Sequence, residues 1–382
     1  LYYNLALGNS PDKVSSDDRF GDATIQTLRM ISFFGRANYQ YYNRYLLQVA
    51  IRHDGSSALG VNNRWGTFPS ASVGWKMHNE AFMQNQQLFS ELRWRASYGV
   101  SGNTLGFDPM IARLKYGKQG ITSVNGKDIV AIGPTQNANP DLKWESTSTC
   151  NIGLDFAVLS GRLSGTIEYY DKYTSVLIWD YAVPITEYLA PTLLTNVGEI
   201  RNRGIEFQLN GRVIENKDFQ WNSTVTLSYN KNKVESLTNS QFTDTYRLTG
   251  EVDGASGQSG ITSQIIKEGS SIGTFYLPKY AGTDENGVSM FYDADGNKTA
   301  QPTSKDYQEF TKGTAQPKLL YGWQNTFNYR NIDLSFFLRG VAGNYILNAT
   351  RANYMKIVEA TQFNILADAG NLPREDIRAH FI

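Results

Sequence analysis

The 382-residue sequence holds one cysteine and three histidines, has no excess of either charge, and contains no long apolar run. With Cys150 alone, an intrachain disulfide scaffold is excluded. His53, His78 and His380 stand apart from one another and from any Cys or Glu at ligand spacing, so no zinc motif is present. Lys plus Arg and Asp plus Glu number 36 each, which leaves no basic surplus of the kind nucleic-acid binding requires. Neither G-x-G-x-x-G nor a P-loop occurs, and GASGQSG (254–260) reads as a loop. No stretch approaches the roughly 18 apolar residues of a membrane-spanning helix. Mean hydropathy is −0.40, yet this does not exclude a membrane. Transmembrane strands alternate lipid-facing and lumen-facing residues, so their average looks soluble.

What the chain does have is aromatic residues and period-two alternation. There are 23 Tyr, 19 Phe and 7 Trp, the residue types that membrane interfaces concentrate. Alternation is clearest in 219–229, where Phe219, Trp221, Val225, Leu227 and Tyr229 oppose Gln220, Asn222, Thr224, Thr226 and Ser228. Similar strands are predicted at 31–41, 45–53, 67–77, 91–101, 148–159, 162–172, 204–214, 319–330 and 332–341, with a weaker one at 2–8. Such segments match the ~9–11 residues that cross a bilayer at a tilt, whereas soluble strands run nearer ~5–6. Cys150 falls on the apolar side of its strand, as a small packing residue.

Connections alternate as well. Short links at 42–44, 160–161, 215–218 and 331 alternate with long ones at 54–66, 102–147, 173–203 and 231–316. The remaining link on the short side, 78–90, reads as a small amphipathic helix. Short turns at one end and long loops at the other are the plan of outer-membrane barrels. The long loops are rich in Gly, Asn, Ser, Thr and Asp with few apolar clusters, and read as surface structures rather than separate domains.

Parity puts Arg36, Arg52, Arg93 and Arg95 on the polar face, because an arginine facing lipid at mid-bilayer costs about 2–4 kcal/mol. Two readings compete for them: pairing with carboxylates of the lumen or of a plug, such as Asp155 or Glu206, and direct contact with substrate. In the loops, Trp179, Tyr181 and Tyr188, with Tyr246 and Tyr276, suit stacking on sugar rings or packing of the loops against one another. GSSIG (269–273) matches G-x-S-x-G, but only His380 follows it and TFYLPKY is no helix, so no catalytic site is assigned. In DADGN (293–297) the Gly arrives too early for a calcium loop, and a hairpin turn is expected instead. No carboxylate pair singles itself out for glycoside hydrolysis, so no enzyme and no cofactor are assigned.

Several strings are specific enough to carry a resemblance. SFFGRANYQYYNRYLLQVAIRHDGSS (32–57), NNRWGTFPSASVGWK (62–76), LRWRASYGVSGN (92–103), NPDLKWE (139–145), NVGEIRNRGIEF (196–207) and PKLLYGWQNTFNYRNIDLSFFLRG (317–340) resemble, in order, the barrel region of SusC/RagA-type TonB-dependent transporters. The resemblance implies an all-β transmembrane antiparallel barrel of 22 strands, about ten or eleven of them in this chain. It further implies a plug, energy supplied through TonB, and a SusD-like surface lipoprotein acting as a lid during import of glycans or peptides across the outer membrane. Residues 1–382 read as part of one such barrel, with the plug, the TonB box and the closing C-terminal strand outside the chain. Without those parts, a passive porin and a secreted glycan-binding β-sandwich or β-solenoid remain alternative readings of the pattern.

Overall fold

In the computed structural model, residues 27–103, 108–239, 241–243, 245–252, 260–285, 288–303, 307–354 and 364–367 are described. The weak strand expected at 2–8 and His380 lie outside them. The wall begins with four long strands, β1 (Met30–Tyr41), β2 (Tyr45–Ser56), β3 (Trp65–Lys76) and β4 (Phe89–Asn103). A separate hairpin of β5 (Lys115–Val124) and β6 (Lys127–Gln136) interrupts it. The wall resumes with β7 (Glu145–Val158), β8 (Leu163–Ala182), β9 (Thr192–Glu215) and β10 (Phe219–Ser236). Seven shorter strands follow: β11 (Tyr246–Val252), β12 (Ile261–Lys267), β13 (Thr274–Pro278), β14 (Tyr280–Thr283), β15 (Ser289–Tyr292), β16 (Lys298–Thr299) and β17 (Tyr307–Thr314). The wall ends with β18 (Leu319–Tyr329) and β19 (Ile332–Ala342).

All ten strands of clear alternation join one antiparallel sheet, in the order β1-β2-β3-β4-β7-β8-β9-β10-β18-β19. The register confirms the facing that parity gave. Val225 stands opposite Leu209 and Trp323, and Leu227 opposite Phe207 and Tyr321, whereas Thr226 stands opposite Gln208 and Gly322. The apolar face is solvent-accessible over its whole extent in the isolated chain, with Phe33, Tyr39, Leu47, Ile51, Trp94, Tyr98, Ile167, Ile205 and Trp323 all exposed. Such a continuous apolar surface is far larger than soluble proteins leave uncovered, and it requires lipid. Aromatic groups mark its two edges. At the short-turn end Tyr41 packs against Tyr42 and Tyr45, and at the other end His53 stacks on Trp65 with ring centroids 4.9 Å apart.

Tight links close the short end. Tyr42 and Asn43 adopt φ of 47° and 55°, and Arg44 N–H donates to the Tyr41 carbonyl. Leu159, Ser160 and Gly161 likewise take left-handed φ, as does Arg330 before Asn331. The 78–90 link is not an α-helix. It holds two 3-10 turns, Met77–Asn79 and Ala81–Met83, separated by an extended Glu80. Glu80 is held there by Tyr45 Oη and Trp75 Nε1, which donate at 2.7 and 2.9 Å, and by Arg44 at 3.2 Å.

At the other end the structure departs from the expected loops. β8 and β9 continue to Ala182 and back from Thr192, so most of 173–203 is strand and only 183–191 is a connection. At 24 residues, β9 rises on the order of 60 Å along the barrel normal, about twice the hydrocarbon thickness. Alternation had faded there because Val176 takes a φ of 54° and the β8–β9 register shifts between Thr174 and Leu177. The long loops also contain order. β11, β12, β13 and β17 form a four-stranded sheet, and β14, β15 and β16 a three-stranded one. DADGN is the β15–β16 turn, as expected, with Asp293 Oδ1 accepting from the N–H groups of Asp295 and Asn297.

Nor are these loops free of apolar clusters. Ala58, Leu59, Phe68, Ile111, Ala112, Leu142 and Trp144 form a buried core above the wall, drawn from stretches too scattered to register as clusters in sequence. Its chain crossings are tight. A Cβ on Gly60 would lie 2.2 Å from the Pro140 carbonyl oxygen, so the backbone approach there admits only glycine.

Candidate functional site

The functional surface that ten alternating strands create is the inward face of the sheet. Arg93 and Arg95, two residues apart on β4, point to this face opposite Asp155 and Gly153 of β7. Arg93 donates to Asp155 through Nε and Nη2 at 2.9 and 2.7 Å. Arg95 reaches Asp155 at 3.3 Å and Glu168 of β8 at 2.5 Å. Thr166 Oγ1 donates a further bond to Asp155 at 3.0 Å. Two guanidinium groups and two carboxylates thus neutralise one another along three neighbouring strands, with the two arginines 36% exposed. Of the two carboxylates expected as partners, Asp155 takes that role. Glu206 instead accepts the Ser228 hydroxyl at 3.3 Å.

Around this chain of ion pairs the wall is mostly hydrogen-bonding, with Arg36, Glu206 and Arg339 as further charges. Asn38, Gln48, Ser72 and Ser97 follow one another across β1 to β4, and Gln208, Thr226 and Gly322 across β9, β10 and β18. Arg95 lies between two hollows, one of about 480 Å³ towards Asn38 and Gln48, the other of about 900 Å³ towards Gln208, Thr226 and Arg339. Chemically, such a wall offers amide and hydroxyl groups to a polar solute. Among the described residues no group of three or more His, Cys, Asp or Glu is gathered to hold a metal.

Other expected site residues are dispersed. Arg36 faces inward opposite Ala50 and has no ion-pair or hydrogen-bond partner among the described residues. Trp179 belongs to β8, not to a loop, and the Arg247 guanidinium lies 5.3 Å from its ring centroid. Tyr181 is 3% exposed, donates its hydroxyl to the Leu237 carbonyl at 2.8 Å and packs against Phe242. Its ring therefore packs the loops and presents no open face. Tyr188 is half-buried on the 183–191 connection. That connection is clamped by a residue sequence reasoning passed over. Buried Asn137 donates to the Ala190 and Thr192 carbonyls at 2.7 Å and accepts from the N–H groups of Leu189 and Ala190 at 3.0 Å, which fills its whole side-chain amide capacity. Glu168 was missed too, although its parity with Thr166 marked it as inward. Ser271, in the nucleophile position of GSSIG, sits between left-handed Gly269 and Gly273 and donates to the adjacent Ile272 carbonyl.

Residues 2–308 match the family model described as TonB dependent receptor-like, beta-barrel. The chain belongs to this family of outer-membrane receptors. Its members are transporters and not enzymes, and the outer face of the sheet is accordingly the face that meets outer-membrane lipid. Relatives include the TonB-dependent receptor P26 of Formosa agariphila, 35% identical over 96% of this chain and 37% of that protein. The TonB-dependent receptor SusC of Bacteroides thetaiotaomicron is 34% identical over 85% of this chain and 32% of that protein. The chain therefore spans about a third of the length of these relatives. Among solved structures, the RagAB peptide importer in its closed-closed state superposes with a TM-score of 0.71 and 25% identity, covering 86% of this chain and 35% of that one. The resemblance to SusC/RagA-type transporters, quoted from six strings of sequence, is borne out.

Proposed function

We propose that this protein forms part of the wall of a TonB-dependent importer that takes oligosaccharides from the cell surface into the periplasm. The carrying observation is the inward face. Four of its charges, Arg93, Arg95, Asp155 and Glu168, cancel one another, and apart from Arg36, Glu206 and Arg339 the surrounding positions are rich in amides and hydroxyls. Such a wall suits a neutral polyhydroxylated solute, which exchanges water for hydrogen bonds at little desolvation cost. The resemblance to SusC/RagA-type transporters implies glycans or peptides, and the similarity to the RagAB peptide importer keeps a peptide as the competing cargo. β1 and β19 are edge strands of the sheet, and exposed edges are intolerable in lipid, so further strands close the wall around a plug. The extracellular core and sheets form the seat for a SusD-like lipoprotein lid. Arg36, without a partner among the described residues, contacts either the plug or the cargo.

Uptake of labelled oligosaccharides by cells carrying the intact protein, with and without functional TonB, tests this reading. Accumulation that requires both is the expected result. TonB-independent diffusion would make the protein a porin. Uptake of peptides but not sugars would move the cargo assignment.

A further inference from the structure

The inner face is not polar throughout. β18 enters from the long-loop end at Leu319, and β19 returns to it at Ala342. On this pair Leu320 stands opposite Val341, Gly322 opposite Arg339 and Gln324 opposite Phe337. Leu320, Gly322 and Gln324 continue the inward rows of Ser228, Thr226 and Thr224 on β10, so all six residues face the lumen. Leu320, Phe337 and Val341 are exposed there, Phe337 to 57%. Lumen positions of a barrel are ordinarily polar, so this apolar ledge stands out from the wall around it. Phe337 depends on Gly322 for its place. A Cβ on Gly322 would lie 3.1 Å from Phe337 Cε2 and 2.7 Å from Thr226 Oγ1, and the bare backbone lets the ring lie across β18.

The ledge forms one end of the hollow of about 900 Å³. Polar residues in this hollow fall into two groups. Arg95, Glu168 and Thr166 are committed, to one another or to Asp155. Arg339 and Thr226, by contrast, have no side-chain partner among the described residues, and Glu206 accepts only the Ser228 hydroxyl there. Arg339 and Glu206 stand three strands apart, ~14 Å at ~4.8 Å per strand, and do not pair with each other. An open aromatic ring with uncommitted charged and hydroxyl groups around it matches a sugar, which has an apolar C–H face and a rim of hydroxyls. The depth matches incoming cargo as well. Val341 is the second-last residue of β19, so the hollow lies in the extracellular part of the lumen.

We propose that this hollow is a sugar-binding subsite of the wall. One ring of the oligosaccharide stacks on Phe337 and places its hydroxyls on Arg339 and Thr226, while the next ring reaches Glu206 and Gln208. The inference rests on the reading of the cargo as oligosaccharide and assigns its recognition to particular residues.

The test applies the intact protein in detergent micelles to an array of oligosaccharides of varied linkage, with mixed peptides as separate spots. The best-retained sugar is then titrated by calorimetry. Phe337→Ala should weaken its binding about two- to tenfold, the scale of one aromatic contact. Phe337→Tyr, which keeps the ring, should bind as the parent does, and Arg339→Gln should weaken binding severalfold. Should Phe337→Ala lose the heat-resistant gel band of a folded barrel, Phe337→Leu keeps the apolar bulk without the ring, and the same loss is expected. Parent-like affinity in the ring-less and Arg339 variants overturns the subsite and leaves the oligosaccharide reading standing. Retention of no sugar by the parent, with or without peptides, overturns both. If cells carrying Phe337→Ala admit vancomycin, the ledge seals the plug instead, which overturns the subsite alone.

Discussion

Val225 and Thr226 are neighbours in sequence and lie on opposite sides of the wall. Val225 is the seventh residue of β10, near the middle of its apolar belt, opposite Leu209 and Trp323. An arginine there places a guanidinium at the depth where the lipid-facing cost is greatest, about 2–4 kcal/mol. That is roughly 30- to 1,000-fold in the folding equilibrium. Thr226 is exposed on the inner face, opposite Gln208 and Gly322, so a longer side chain there can extend into the lumen. Thr226→Arg should stay within about 0.5 kcal/mol of the parent, as surface changes usually do. Guanidinium titration of the intact protein in liposomes, followed by tryptophan emission and by heat-modifiable gel mobility, measures both. Equal losses for the two variants, or a larger loss for Thr226→Arg, would refute the facing on which the lumen rests.

Asp155 carries both arginines, so Asp155→Ala should cost about 1–3 kcal/mol by leaving Arg93 and Arg95 short of a partner. Adding Arg93→Gln should cost little more, as a double-mutant cycle in the same liposome assay will show. Asn137→Ala removes four hydrogen bonds from the 183–191 connection. It should raise hydrogen exchange at Leu189 and Ala190 while leaving exchange in β1 and β2 unchanged. The Glu80 carboxyl is held below the ordinary glutamate range by the Trp75 indole N–H, then by the Tyr45 hydroxyl and the nearby Arg44 charge. A depressed folded pKa stabilises above the unfolded value near 4.5 and loses that contribution as pH falls through the folded one. The melting-temperature gap between the parent and Glu80→Gln should therefore be full at pH 7 and shrink below about pH 4.5; a gap unchanged down to pH 3 would contradict it. If Tyr188 or Trp179 stacks on cargo, changing each to Ala should lower oligosaccharide uptake severalfold without loss of barrel. Tyr181→Ala should instead loosen the loops, because its ring is buried.

The transmembrane wall was legible because lipid on one side and water on the other force strict alternation, and a one-residue slip would invert every side chain. That is why the bounds of β1, β18 and β19 came out within a residue of expectation. Legibility failed where the lipid stops. Above the belt both faces of β8 and β9 are wet or packed, so Asp171, Arg201 and Arg203 occupy outward positions and the parity signal vanishes. The extracellular core was hidden for a different reason. Leu59, Ile111, Leu142 and Trp144 lie far apart in sequence and meet only through loops pinned by bonds such as Gly60 N–H to the Leu142 carbonyl. In the site, pairing of Arg93 and Arg95 with Asp155 followed from parity, but the choice of Glu168 over Glu206 depended on side-chain reach across one ladder step.

The most direct test of a lipid-facing outside and a water-filled inside is a spin-label scan along 219–229 of the intact protein in liposomes, after Cys150 and any other native cysteine have been replaced by Ser. The relative accessibility of each label to oxygen and to a water-soluble nickel chelate is read residue by residue. Oxygen should dominate at Val225, Leu227 and Tyr229, and the chelate at Thr224, Thr226 and Ser228, with a period of two throughout. Uniform chelate accessibility, or alternation of the opposite phase, would contradict a barrel wall built on this facing.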